Sequence, residues 1–139
     1  MIQKFLELII RTNGQKLYNF TNKIEQWIVK NSFKNGIINI SIQHTSASLI
    51  VQENADPDVQ ADLLSYFDKL VPMNDGLYTH MTEGKDDMPA HIKSSLTNNQ
   101  ISLSIKNGSI LLGNWQGVYL FEHRLSEQKR FVILHFLGD

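Results

Sequence analysis

Residues 37–59, IINISIQHTSASLIVQENADPDV, decide the fold. Ile40 and Ile42 alternate with Ser41 and Gln43, the period of a strand with one buried face, and the strand runs straight into His44. After Thr45 and Ser46 the alternation resumes, with Ala47, Leu49 and Val51 set against Ser48, Ile50 and Gln52, so a second extended segment reaches Glu53. The period then changes. Asp56 supplies a cap for orphan amides, and Pro57 at the first helical position gives up no hydrogen bond. Val59, Leu63, Phe67 and Leu70 follow at helical spacing until Pro72 stops the helix.

On the N-terminal side, residues 2–11 read as a strand ending at the Asn13-Gly14 turn. Thr21 is the expected N-cap of a helix to about Ser32, with Ile24, Trp27 and Ile28 on one face, and Lys34-Asn35-Gly36 ends it. On the C-terminal side, YTHMTEGKDDMPAHIKSSL at 78–96 carries no apolar periodicity over 79–88. Pro89 is expected to open a short helix to Leu96, holding His91 near its start. Residues 101–105, 110–112, 118–122 and 131–137 read as strands in succession, a meander. No repeat or linker interrupts residues 1–139, so one α+β domain built on antiparallel sheet is expected.

Thirteen basic against fourteen acidic side chains leave a formal charge of -1, so no general field holds a nucleic-acid backbone or an anionic membrane. No apolar run is long enough to span a bilayer, and the N-terminus lacks the pattern of a secretory signal, so a cytoplasmic chain with no membrane partner is expected. Without cysteine, thiol nucleophiles and zinc-thiolate sites are excluded, and metal ligands are restricted to histidine, carboxylate and water. GxSxG, GxGxxG, HExxH and a phosphate-binding Gly-rich loop are all missing. The remaining chemistry is that of a metal, of acid-base histidine and carboxylate, or of positioning alone.

His44, His80 and His91 stand on three separate elements, with Glu53, Asp56, Glu83 and Asp87 nearby in sequence. Each histidine alone is ordinarily a hydrogen-bonded or surface residue, but imidazoles converging from separate elements are what a histidine-carboxylate metal site needs. His135, in the apolar FVILHFL run, reads as a core or interface residue, and alternation puts Glu122 and His123 on opposite faces. Trp115 between two glycines, beside Gln116, is either a core plug or a stacking surface for a flat ring.

HTSASLIVQENADPDV at 44–59, THMTEGKDDMPAHIKSSL at 79–96 and LLGNWQGVYLFEHR at 111–124 together resemble the YjbQ-like family, often labelled secondary thiamine-phosphate synthase. The resemblance implies an antiparallel β-sandwich with two main helices and one short helix packed on it, assembled as a homotrimer. It also implies a polar pocket. His44, Glu53, Asn54, Asp56, His80, His91, Trp115, Gln116, Glu122 and Arg130 stand at family pattern positions, and some members carry metal among such histidines.

On that reading the expected activity joins a pyrimidine pyrophosphate to a thiazole phosphate. His44, His80, His91 and Glu53 are the expected catalytic residues, and these four with Asp56 and Glu83 are the expected ligands of a divalent cation, Mg or Zn. Ser46, Asn54, Lys93, Trp115, Gln116 and Arg130 are expected to bind a small phosphorylated metabolite. Two alternatives stay open: a hydrolase in which a histidine-bound cation activates water, and a non-catalytic trimer that binds a metal or metabolite.

Overall fold

The computed structural model describes residues 1–139, the side chain of Asp75 excepted, and burial alternates along its strands at 36–42, 100–106 and 127–138, whereas those at 47–53 and 116–122 are covered on both faces. The elements run β1 (Ile2–Asn13), β2 (Lys16–Asn19), α1 (Thr21–Asn31), β3 (Gly36–Ile42), β4 (Ala47–Glu53) and α2 (Pro57–Leu70). After them come α3 (Asp87–Leu96), β5 (Gln100–Lys106), β6 (Ser109–Ile110), β7 (Gln116–Glu122) and β8 (Glu127–Gly138). Two antiparallel sheets result, one in the order β1-β8-β3-β5-β6 and the other β2-β7-β4. The fold is α+β, as expected.

The main core lies between the sheets. Ile38, Ile40, Ile42, Val132, Leu134 and Phe136 of the larger sheet meet Ala47, Leu49, Val118 and Leu120 of the smaller, and Ile24, Trp27 and Ile28 of α1 join them. On the other face of the smaller sheet, Leu17, Tyr119 and Phe121 are covered by Leu63, Leu64 and Phe67 of α2. Asp56 caps α2 by accepting from the Asp58 amide at 2.9 Å, the role its position before Pro57 predicts. The outer face of the larger sheet stays open and exposes Phe5, Ile9, Ile37 and Leu137.

Three sequence expectations need correction. Thr21 is the first helical residue rather than the cap, because Phe20 occupies the cap position and the Thr21 hydroxyl instead receives the Val118 amide at 2.8 Å. The short helix α3 begins at Asp87, so Pro89 is its third residue; a first-turn proline sacrifices no helical bond at any of these positions. The C-terminal strands form no meander beyond the β5–β6 hairpin: β7 enters the smaller sheet between β2 and β4, and β8 runs between β1 and β3. Those partners are distant in sequence, which alternation does not encode.

At the far end of β8, Gly138 faces Gly36 of β3. A β-carbon on Gly138 would overlap the Asn35 carbonyl oxygen, and one on Gly36 would overlap that of Leu137. The Asn35 carbonyl is itself held by the Asp139 amide at 2.8 Å, so it cannot move freely aside. Gly138→Ala is expected to cost on the order of 2–3 kcal/mol in urea unfolding; an unchanged midpoint would show that the β3 and β8 ends separate without penalty.

Candidate functional site

One turn of α3 separates Asp87 from His91, which puts both on the same helix face. His80 and Glu83 arrive from the preceding loop. The His80 Nε2 lies 2.7 Å from Asp87 Oδ2 and 3.5 Å from Glu83 Oε2, and the His91 Nε2 lies 3.0 Å from the same Asp87 oxygen. One donor atom from each of the four residues falls within 4.8 Å of all the others. The other nitrogen of His91, Nδ1, is 2.8 Å from the Thr45 carbonyl oxygen. A carbonyl only accepts, so Nδ1 donates to it, and Nε2 is the nitrogen that faces the cluster. That outward hydrogen bond is how metal-binding imidazoles are ordinarily oriented.

Asp87 is held from behind. Its Oδ1 accepts from Arg124 Nη1 at 2.7 Å, while Arg124 Nε donates to Asp86 at 2.9 Å and Nη2 to the Glu83 carbonyl at 2.9 Å. One guanidinium therefore fastens the 83–87 segment to the end of β7. Burial alone would raise the Asp87 carboxyl, but the His80 hydrogen bond, with Glu83, His91 and Arg124, outweighs it and holds Asp87 below the usual carboxylate range. The same hydrogen bond to Asp87 raises His80. Burial likewise pushes Asp86 up, and Arg124 with the Leu125 amide more than reverses it.

Beside the cluster lies a cavity of about 330 Å³ lined by His44, Thr45, His91, Ser94, Ser95, Thr97 and Asn99. His44 Nε2 accepts from the Phe131 amide at 2.9 Å, and its Nδ1 faces Arg130 Nη1 at 3.4 Å. Burial first and the Arg130 charge second lower the His44 pKa, so the ring is a neutral wall of the cavity.

The residues singled out from sequence divide into two groups. His80, Glu83 and His91 converge with Asp87, and His44 lines the adjoining cavity together with His91. Glu53, Asn54, Asp56, Trp115 and Gln116 gather instead at the other end of β4: Glu53 pairs with Gln116, and the Asn54 amide donates to the Trp115 carbonyl at 3.0 Å. Six residue steps of strand separate Glu53 from Ala47, about 20 Å. Trp115 is exposed rather than a core plug. Gln116 Oε1 closes its own turn on the Gly113 amide at 2.7 Å.

Lys93 is buried with its Nζ 2.6 Å from Asp68, Arg130 is clamped by Glu122, and Ser46 is buried with its carbonyl on Arg130. Sequence reasoning does not find Asp86 or Arg124, and it registers Asp87 only as a neighbour of the histidines. The Asp87–His91 spacing of four is a usable signal; nothing in the sequence links Arg124 to the aspartates.

A family model described as UPF0047 protein YjbQ-like matches residues 7–139. The chain belongs to the YjbQ-like family. A UPF0047 protein of Synechocystis sp. is 49% identical over 132 residues, covering 95% of this chain and 90% of the relative. The UPF0047 protein YjbQ of Escherichia coli O157:H7 is 44% identical over 104 residues, or 75% of each chain. Among solved structures, a conserved hypothetical protein of Thermus thermophilus superposes with a TM-score of 0.84 at 33% identity, covering 95% of this chain and 99% of that one. A YbjQ-like protein of unknown function from Sulfolobus solfataricus P2 gives a TM-score of 0.86 at 20% identity over 99% and 100% of the two chains, a likeness of fold.

Within the third family motif, at 111–124, His123 is 1% exposed, with Nε2 2.9 Å from Ser48 Oγ and Nδ1 buried with no partner among the described residues. Burial, then the charges of Lys93 and Arg130, lower its pKa from 6.5 to about 3. Between those values the unfolded chain binds more protons than the folded one, so stability rises with pH there and declines as pH falls below about 6.5. Asp86 and Asp87 act in the same direction lower down, losing their stabilisation as pH falls through their depressed folded values. Between pH 7 and pH 5 His123 is expected to account for about 2 kcal/mol of lost stability. Urea unfolding of His123→Gln should show a shallower decline over that interval, and an identical decline would assign the acid sensitivity elsewhere.

Proposed function

We propose that the chain is a divalent-cation-dependent hydrolase of a small phosphorylated metabolite, with the cation held by His80, Glu83, Asp87 and His91. The observation that carries this reading is the convergence of four donor atoms within 4.8 Å, one of them turned inward by the Thr45 carbonyl. Two imidazoles with two carboxylates suit zinc or manganese better than magnesium, which favours an all-oxygen shell. A cation in such a site polarises a phosphoryl oxygen and lowers the pKa of bound water.

The chain's own groups do the rest. The Thr45 hydroxyl can orient a polar substrate oxygen in the adjoining cavity, whereas Ser94 and Ser95 donate to the Ala47 and His91 carbonyls and Thr97 to Ser48 and the Lys93 carbonyl. His44 closes one wall as a neutral ring, and Arg124 fixes which Asp87 oxygen faces the cluster.

The synthase activity implied by the resemblance draws less support from this geometry. Within one chain Glu53 and Asp56 lie far from the histidines, and Lys93 and Arg130 spend their charge on Asp68 and Glu122 rather than on a diphosphate. The homotrimer belongs to the same proposal: Phe5, Ile9, Ile37 and Leu137 leave an apolar sheet face for other copies of the chain to cover. Light scattering is expected to give three times the chain mass, and a monomer at micromolar concentration would reject the assembly.

After chelation and reloading with zinc or manganese, the protein is expected to retain one cation per chain and to hydrolyse phosphomonoesters only when loaded. Asp87→Asn and His91→Ala should weaken retention on the order of 100-fold, and Arg124→Gln, which leaves every proposed ligand in place, by about 10- to 100-fold. Full retention in His91→Ala would remove the site. Retention without turnover would reduce the function to binding, and complementation of a thiamine-requiring strain would restore the synthase reading.

A further inference from the structure

A side chain finishes the pairing of β3 with β8. Just past Ile42 the Gln43 amide still donates to the Phe131 carbonyl oxygen at 3.1 Å, but the Phe131 amide turns to His44 Nε2 at 2.9 Å. A ring nitrogen that accepts from an amide carries no proton, and an imidazole always carries at least one. The His44 proton is therefore on Nδ1. The group facing that N–H is Arg130 Nη1 at 3.4 Å, which is also only a donor, so neither can satisfy the other.

Arg130 is 3% exposed, and Glu122 with the Ser46 carbonyl takes up its Nε and Nη2. Nη1 is left with no acceptor among the described residues, while Glu122 balances the charge. What remains is a pair of convergent donors without net charge, one of them on a residue that lines the cavity of about 330 Å³. Buried donors with nothing to bond cost free energy until an acceptor oxygen reaches them.

The α3 side of the same cavity has the opposite shortage. Ser94 Oγ donates to the Ala47 carbonyl at 2.9 Å and Ser95 Oγ to the His91 carbonyl at 2.8 Å. The single Thr97 hydroxyl proton goes either to Ser48 Oγ or to the Lys93 carbonyl. These hydroxyls keep lone pairs and have no proton to give.

We propose that the cavity recognises a lactam or carboxamide edge of the substrate. Its carbonyl oxygen accepts from His44 Nδ1 and Arg130 Nη1, and its N–H donates to the hydroxyl oxygen of Ser95 or Thr97. An anionic group gains less here, because the donors bring no net charge and those hydroxyls offer only lone pairs. The inference deepens the hydrolase reading and rests on it only for the rest of the molecule, whose phosphoryl group lies on the cation next to His91. His44 thereby becomes a specificity-determining residue.

The test titrates chelated full-length protein, carrying isotope-labelled histidine, with valerolactam, its N-methyl derivative and inorganic phosphate, and follows the His44 ring nitrogens by NMR. Before any addition, Nδ1 is expected to be protonated and Nε2 not. Valerolactam should move the Nδ1 resonance saturably, in the range of tens of millimolar or tighter. The N-methyl derivative, which lacks the N–H, should bind about 3- to 10-fold more weakly, and inorganic phosphate should leave the resonance in place. His44→Phe should abolish lactam binding while remaining folded by urea unfolding; if it unfolds, the wild-type titration decides alone.

A proton on Nε2, an Nδ1 resonance that the lactam does not move, as when water alone joins the two donors, or a stronger response to phosphate than to the lactam overturns the proposal. Every arm is free of metal, so failure of the cation site leaves this result standing, and failure here leaves the cation site standing.

Discussion

The carboxylate of Glu122 is the constraint on which the rest of the site depends. It is fully buried at the end of β7, yet both oxygens are well used: Oε1 accepts from Thr12 Oγ1 at 2.6 Å and Arg130 Nε at 2.7 Å, and Oε2 accepts from Arg130 Nη2 and from the amides of His123 and Arg124. Thr12 belongs to β1 and Arg130 to β8, so one charge ties the smaller sheet to the larger. A buried carboxylate stripped of its partner costs about 3–5 kcal/mol, which makes this arrangement all-or-none. Its amide bonds fix the backbone at residues 123 and 124 and so set the direction in which Arg124 leaves the sheet.

From that point the chemistry is assembled outward. Arg124 holds Asp86, Asp87 and the Glu83 carbonyl, Asp87 turns its other oxygen toward His80 and His91, and the Thr45 carbonyl orients the His91 ring. Asp87 and His91 therefore rest on α3, and Arg124 beyond the end of β7 holds the loop segment that carries Glu83. Preorganisation of this kind is what separates a binding site from a chance group of exposed acids and histidines.

Much of this is legible in the sequence, and what is not has physical reasons. Alternation through residues 37–53 and the Asp56-Pro57 cap read correctly because strand period and helix capping are local. The pairing of β8 with β1 and β3 is not local, so consecutive C-terminal strands read as a meander. The sequence reading groups His80, Glu83 and His91, which the fold does bring together with Asp87, but it draws in Glu53 and Asp56 because nearness in sequence passes for nearness in space. An extended strand of seven residues does the opposite and carries its two ends about 20 Å apart. Lys93 and Arg130 read as free cations because their acids, Asp68 and Glu122, reach them only through folding.

Anomalous diffraction from crystals of the protein grown with zinc or manganese tests the central claim most directly. The account predicts one strong anomalous peak per chain, bonded to His80, Glu83, Asp87 and His91. A cation seated instead at Glu53 and Asp56, or a cluster that stays empty at saturating metal, would contradict it.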